Sequence, residues 1–347
     1  MKMNPLGRTG INISHLCLGT MTYSTQTPQA DAFLQMDTAL DHGVNVFDTA
    51  EMYPVNPNRA DTTGNTERVI GNWIKTSGRR HEVVLATKHS GEGFLGARNG
   101  APITAATIPL VVEENLARLQ TDYIDLYQFH WPNRGSYMFR KNWTYDPTSQ
   151  NREETLENMG DCLEALQKLV DQGKIRAFGL SNESAWGAAQ WLRISEDRGL
   201  PRVASIQNEY SLLCRLYDTD LAELGHNEDV GLLAFSPLAT GFLTGKYQDD
   251  VKPEGSRMTY GDGMGGRNTP RVRPAAAAYL DIARRHGLDP VHMALAFCTM
   301  RPFVASAIFG ATTQDQLERV LSGCEVVLSD EVLGEIDTAH RAHPMPF

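Results

Sequence analysis

No C-x-x-C pair occurs in the 347 residues, and the five cysteines (Cys17, Cys162, Cys214, Cys298, Cys324) are scattered and odd in number. That speaks against a disulfide framework or a cysteine-based zinc site and suits reduced thiols in the cytoplasm. No uncharged apolar run reaches the ~18 residues of a membrane helix; "VHMALAFCTM" is among the longest. The opening "MKMNPLGRTG" lacks the apolar core of a signal peptide, so a soluble cytoplasmic protein is expected. Positive charge is also scarce. With 32 Lys and Arg against 42 Asp and Glu, the net charge is -10, and neither a nucleic-acid nor an anionic-membrane partner is expected. A His-x-His strand end and a carboxylate cluster, the marks of a barrel metallohydrolase, are missing, so no metal is expected. Linker and low-complexity segments are absent too, which points to one domain over residues 1–347.

What is present is alternation. Eight β-type runs, "HLCLGT" (15–20), "NVFDTA" (45–50), "EVVLATKH" (82–89), "YIDLYQFH" (123–130), "IRAFGLSN" (175–182), "VASIQNEY" (203–210), "GLLAFSPL" (231–238) and "SAIFGAT" (306–312), are separated by amphipathic segments. The helical stretches fall at 31–41, 66–77, 108–119, 154–171 and 185–198, and "DQGK" and "EDRGL" place Gly at helix C-caps. Strands alternating with helices of this length build βαβ units and a parallel sheet. Eight of them suit a closed (β/α)8 barrel of the TIM type better than an open doubly wound sheet. Residues 1–14 read as a small hairpin over one end, and 329–342, opened by a Ser cap, as an extra helix. The long irregular stretches 131–152 and 241–273 each follow a strand, so they belong on the C-terminal rim, where barrel enzymes keep their active sites.

The apolar runs end in polar residues. Asp48, Lys88 and His130 close the second, third and fourth, and Tyr53 follows five positions after Asp48. A closed barrel brings these ends onto one rim, where charges that would be costly in the interior can pair. A Lys88 ammonium held by Asp48 is expected to lower the pKa of a nearby Tyr53 phenol, whose ordinary value is about 10. His130 would hydrogen-bond and orient a carbonyl oxygen. An acid and an oxygen-binding donor, without nucleophile or metal set, suit carbonyl reduction by an external hydride donor. Each residue alone is more often a structural hydrogen-bonder, and by pattern alone both readings stand.

These residues resemble a known family. "GVNVFDTAEMYP", "VVLATKH" and "LQTDYIDLYQFHWP" are similar, in order and spacing, to three signature regions of the aldo-keto reductases. The likeness continues through "GKIRAFGLSNE", "SIQNEYSLL", "LLAFSPLATGFLTGKY" and "GATTQDQL" and covers nearly the whole chain. The resemblance implies NADP(H) extended across the rim without a Rossmann motif, and a tetrad of Asp48, Tyr53, Lys88 and His130 with Tyr53 as general acid. It implies that Ser181, Asn182 and Gln207 contact the carboxamide and that Tyr210 stacks on the nicotinamide, with Gly19, Thr20 and Met21 beside it. Ser236, Leu238 and Gly241 would wrap the pyrophosphate, Lys246 and Arg257 would clamp it, and Thr312 and Gln316 would lie at the adenosine end. One element departs: the family's Q-L-x-x-N reads "QLERV", so Val320 stands where an Asn usually contacts adenine, and Arg319 is the compensating candidate.

"GDGMGG" matches G-x-G-x-x-G but has no strand before it and no helix directly after, so it reads as a flexible lid over the cofactor. The aromatics Tyr23, Trp131, Tyr137, Phe139, Trp143 and Tyr145 gather in or near the loops and suggest a partly apolar substrate pocket, with Tyr23 and Trp131 foremost. The expected activity is reduction of a small aldehyde or ketone by NADPH. The alternative is a cofactor-binding regulatory subunit resembling the potassium-channel β subunits.

Overall fold

The strands are shorter than the apolar runs: pairing stops while the residues that follow, among them Thr49, Ala50, His130 and Asn182, are still buried. A computed structural model describes residues 1–57 and 59–347. A two-stranded antiparallel hairpin, β1 (Met3–Pro5) and β2 (Asn12–Ser14), precedes the barrel strand β3 (Leu16–Gly19). Then α1 (Gln29–Asp41), β4 (Val46–Asp48), α2 (Asn65–Ser77), β5 (Val84–His89), α3 (Thr107–Leu119) and β6 (Ile124–Phe129) alternate. They are followed by α4 (Arg152–Asp171), β7 (Ile175–Ser181), α5 (Ala185–Arg198), β8 (Val203–Glu209), α6 (Asp220–Asn227) and β9 (Gly231–Phe235). A long loop holding the single turn α7 (Arg257–Tyr260) leads to α8 (Val272–Arg285) and α9 (Pro290–Thr299). The last barrel strand, β10 (Val304–Phe309), precedes α10 (Gln314–Leu321) and α11 (Asp330–Ala342). β10 starts and ends earlier than its apolar run, and a turn closed by the Val304 amide on the Arg301 carbonyl leads into it.

Strands β3 to β10 are all parallel and close on one another, β10 pairing with β3, which makes the fold a (β/α)8 barrel. Local chemistry sets the helix ends. Asn151 caps α4 by accepting from the amides of Glu153 and Glu154, and Ser329 caps α11 by accepting from Val332. Gly199 ends α5 at φ 64°, the left-handed C-cap that glycine reaches without Cβ strain. Among the described residues no helix is long and apolar enough to cross a membrane.

Two apolar cores result. The larger lies between strands and helices; the smaller fills the barrel itself, with Cys17, Val46, Val84, Ala86, Leu126, Ala177 and Leu233 among its members. Leu6, Ile11 and Ile13 of the hairpin join this inner core and plug the N-terminal end of the barrel. Along β4, β5 and β6 the inner face changes character within two residues: Val46 gives way to Asp48, Ala86 to Lys88, and Leu126 to Gln128. The period of two along a strand is what carries the polar residues onto the same face as the apolar ones beneath them.

Candidate active site

At the C-terminal end of the barrel, β4 and β5 set Asp48 and Lys88 together. Lys88 Nζ donates to Asp48 Oδ2 at 2.6 Å and to the Thr49 carbonyl at 2.7 Å, with both side chains almost wholly buried. The ammonium also lies 5.0 Å from the centroid of the Tyr53 ring. The turn after β4 brings Tyr53 back over the mouth, and its amide donates to the Ala50 carbonyl at 3.0 Å. His130, just past β6, meets the Tyr53 ring edge-on at 5.8 Å between centroids. Four side chains from three successive strand ends therefore share one small volume.

Their electrostatics differ from the simplest expectation. Burial pushes the Tyr53 phenol up from its ordinary value, and the opposing pull of Lys88 does not overcome it. The expected net lowering of the Tyr53 pKa is thus corrected: the cation acts in the foreseen direction, but desolvation of the phenolate is larger. Burial would depress the Lys88 ammonium, yet the Asp48 carboxylate beside it outweighs that and holds it above its usual value. Burial, aided by Lys88, drives the His130 imidazole well below its ordinary pKa, so it is neutral at pH 7.

Gln207 joins the same centre from β8, donating from Nε2 to Asp48 Oδ1 at 2.7 Å. Ser181 Oγ donates to the Gln207 carbonyl at 2.8 Å, and Asn182 Nδ2 to the His130 carbonyl at 2.8 Å. Asn182 Oδ1 is buried and has no partner among the described residues. On the opposite side Thr20 Oγ1 donates to the Asp48 carbonyl at 2.8 Å, next to Gly19 and the half-buried Met21. A Cβ at Gly19 would sit 2.9 Å from Ile308 and 3.0 Å from the Phe309 carbonyl, so only glycine fits this edge.

After β9 the backbone turns sharply. Ser236, Ala239, Thr240 and Gly241 all have positive φ, the last at 102°. Turns of this kind point backbone N–H groups into a shared concavity suited to anions. Lys246 lies in the same loop with its ammonium 5.2 Å from the Tyr247 ring centroid. Leu238 is partly buried against the outer core. Arg257 is held down to about 10 by burial and by the neighbouring guanidiniums of Arg267 and Arg140. Thr312 donates from its amide and hydroxyl to Gln316 Oε1, at 3.0 and 3.1 Å, so these two side chains stand together beyond β10.

Three expectations fail. Tyr210 is fully buried, stacks on Phe297 at 5.8 Å and donates to Asp218 at 2.5 Å, so its ring belongs to the helix layer. The reason is parity: Gln207 and Glu209 point inward from β8, and Tyr210 falls on the other side. Phe235, at the end of β9 and packed against the inner core, is the aromatic that faces the mouth there; alternation with Leu233 would have found it. Tyr23 is wholly buried in the outer core, its loop folded under by the Tyr23–Thr27 bridge, and it lines no open pocket. Arg319 donates to both Asp289 oxygens at 2.8 and 3.0 Å, and Val320 is buried, so neither is offered to an adenine.

Trp131 remains at the mouth, 5.0 Å from the His130 ring and 6.2 Å from that of Phe139. It also borders a cavity of about 390 Å³ beneath loop 131–151, with Phe129, Asn133, Asn158 and Trp191 in the walls. Trp143 is half exposed under Arg271, and Tyr145 packs edge-on to Tyr137. The glycine-rich "GDGMGG" forms turns in the long loop after β9. Beside it, Glu209 at the end of β8 accepts from Arg140 of loop 131–151 at 2.8 Å and from Arg267 at 2.7 Å, tying the two long loops together. That knot was not foreseen, and no local spacing signals it.

Comparison with known proteins supplies a further finding. The sequence model of the Aldo/keto reductase family matches residues 15–341. The chain is 42% identical to "Protein tas" of Escherichia coli, the alignment covering 100% of this chain and 99% of that one. It is 31% identical to the "Uncharacterized oxidoreductase YrpG" of Bacillus subtilis, over 96% of this chain and 94% of the relative. It is also 29% identical to a "Probable voltage-gated potassium channel subunit beta" of Arabidopsis thaliana, over 99% and 98% of the two chains.

Proposed function

The chain belongs to the aldo/keto reductase family, and from that premise we propose that it is an NADP(H)-dependent oxidoreductase that reduces the carbonyl of a small aldehyde or ketone. The observation that carries this reading is the Lys88 ammonium, 2.6 Å from Asp48 and 5.0 Å from the Tyr53 ring. Tyr53 keeps its proton at neutral pH, the form a general acid needs, and gives it to the carbonyl oxygen. The phenolate left behind is stabilised by Lys88, whose charge Asp48 secures. Neutral His130 holds the same oxygen by a hydrogen bond from its imidazole, and Trp131 walls the pocket. Burial of Asp48, Lys88 and His130 keeps water from the centre beneath the half-buried Tyr53.

The residues present fit a nicotinamide dinucleotide. Asn182 Oδ1, buried and unpartnered, is an acceptor awaiting an N–H donor such as a carboxamide. Ser181 and Gln207 stand next to it, and Gly19, Thr20 and Met21 form the facing edge. The turn around Ser236, Leu238 and Gly241, with its run of positive φ, would wrap a pyrophosphate, with Lys246 and Arg257 supplying charge. Thr312 and Gln316 would receive the adenosine end. The cofactor, when bound, supplies the hydride for the carbonyl carbon. Five free cysteines favour a reducing, cytoplasmic setting.

The test is loss of NADPH absorbance across a panel of aldehydes and ketones. Turnover of any of them supports the reading. The kinship with the Arabidopsis channel-subunit sequence favours one other reading, a regulatory protein that binds cofactor, and binding without turnover would select it.

A further inference from the structure

One side chain in the polar layer has no part in the reading above. Gln128 lies on β6, level with Lys88 on β5, and is fully buried. It faces inward two positions above Leu126, where an apolar residue would continue the core. Its Nε2 is 3.3 Å from Asp48 Oδ1, and its Oε1 accepts from Gln207 Nε2 at 3.2 Å. The same Gln207 nitrogen donates to Asp48 Oδ1 at 2.7 Å.

A primary amide has two N–H groups and one carbonyl oxygen. The Asp48 carboxylate can only accept, so the Gln207 atom facing it must be nitrogen, and one N–H is committed there. Gln128 Oε1 takes the second. Both donors of Gln207 are therefore used within the barrel, and its Oε1 alone is left to serve a ligand. Without Gln128 the second N–H would be buried and unpaired, which favours a rearranged amide. Gln128 meanwhile becomes the third donor to Asp48, after Lys88 and Gln207.

We propose that Gln128 is a positioning residue that locks the Gln207 amide with its oxygen turned to the mouth, as an acceptor for the carboxamide N–H of a nicotinamide. The inference rests on the nicotinamide reading of the site and adds a residue to it.

The experiment compares two probes on the full chain: NADPH, and 2′-phospho-ADP-ribose, which has the same phosphates and adenosine but no nicotinamide. Gln128→Met keeps volume and removes both contacts. Its Kd for NADPH, by fluorescence titration, is expected to rise about fivefold, the worth of one net hydrogen bond, with the Kd for the fragment unchanged. Gln128→Glu keeps an oxygen for the Gln207 N–H and, because a buried carboxyl facing the Asp48 carboxylate retains its proton, a donor to Asp48, and is expected to retain the preference for NADPH over the fragment. It also serves as the deciding variant if the methionine chain does not fold. Equal weakening of both probes would mean general damage and overturn the proposal, as would an unchanged Kd for NADPH in Gln128→Met or a lost preference in Gln128→Glu. An intact chain that does not prefer NADPH to the fragment would overturn it too. If the intact chain prefers NADPH yet reduces no carbonyl, the reductase reading fails while the two-probe comparison still decides the role of Gln128.

Discussion

The two ends of the barrel interior are built from the same strands and do opposite work. At the N-terminal end Val46, Val84, Ala86 and Leu126 meet under the hairpin residues Leu6, Ile11 and Ile13, a mostly apolar layer whose side chains carry no charge. Two residues further along the same strands stand Asp48, Lys88 and Gln128, every one buried and every one dependent on another. The lower layer stabilises by removing apolar surface from water, about 1.5–3 kcal/mol for each large side chain. The upper layer gains little net stability, because desolvating its charges offsets their attraction. What it gains is reactivity, since the same desolvation sets the state of Tyr53 and His130, while Asp48 overrides it at Lys88.

If that division is right, substitutions at the two ends should fail in different assays. The largest effect belongs to Tyr53→Phe. It should cut kcat on any carbonyl the intact chain reduces by about a thousandfold while leaving NADPH affinity within about twofold. Near-normal turnover would end the assignment of Tyr53 as proton donor. Next comes Lys88→Met, which strands the Asp48 carboxylate in the interior. A loss of roughly 3–5 kcal/mol in urea unfolding is expected, with activity abolished; adding Asp48→Asn should return part of the stability but none of the activity.

The lower layer should behave in the reverse way. Leu126→Ala should cost about 3 kcal/mol of stability through the cavity it leaves, yet turnover per folded molecule should stay near normal. A large drop in kcat from that change would show that the two layers are not separable. The smallest effect is a pH dependence. His89 is buried beside the site with its pKa lowered to about 4 by burial, against 6.5 in the unfolded chain. The unfolded form therefore binds the proton first as pH falls, so His89 is neutral in its effect above 6.5 and costs stability between 6.5 and 4. Unfolding at pH 5 rather than pH 7 should show roughly 2 kcal/mol less stability from this group, and His89→Gln should remove that part of the slope. His130 adds to the trend in the same direction.

The failures of sequence reading share a cause with this comparison. Asp48, Lys88 and His130 were legible because each closes a run whose alternation is intact up to its end. Gln128 obeys the same alternation, between Leu126 and His130, but an amide inside "YIDLYQFH" looks like an ordinary strand residue. Tyr210 was misplaced because its motif continues one residue past Glu209, and one residue reverses the face. Tyr23 reads as a pocket wall in sequence because loop residues are usually exposed, and the turn that tucks it under joins residues only four apart. The Glu209 knot joins positions 69 and 58 residues away, Arg140 and Arg267, beyond any local pattern.

Sequence alone determined the eight parallel strands, their order, and the polar residues that end the second, third and fourth, because the period of a strand and the length of a crossover are local properties written in consecutive side chains. Tertiary structure alone decided how those residues behave. The upward displacement of Tyr53, the neutrality of His130 and the orientation of Gln207 all follow from how much water is excluded and which atom each neighbour presents. Both quantities exist only once the barrel has closed.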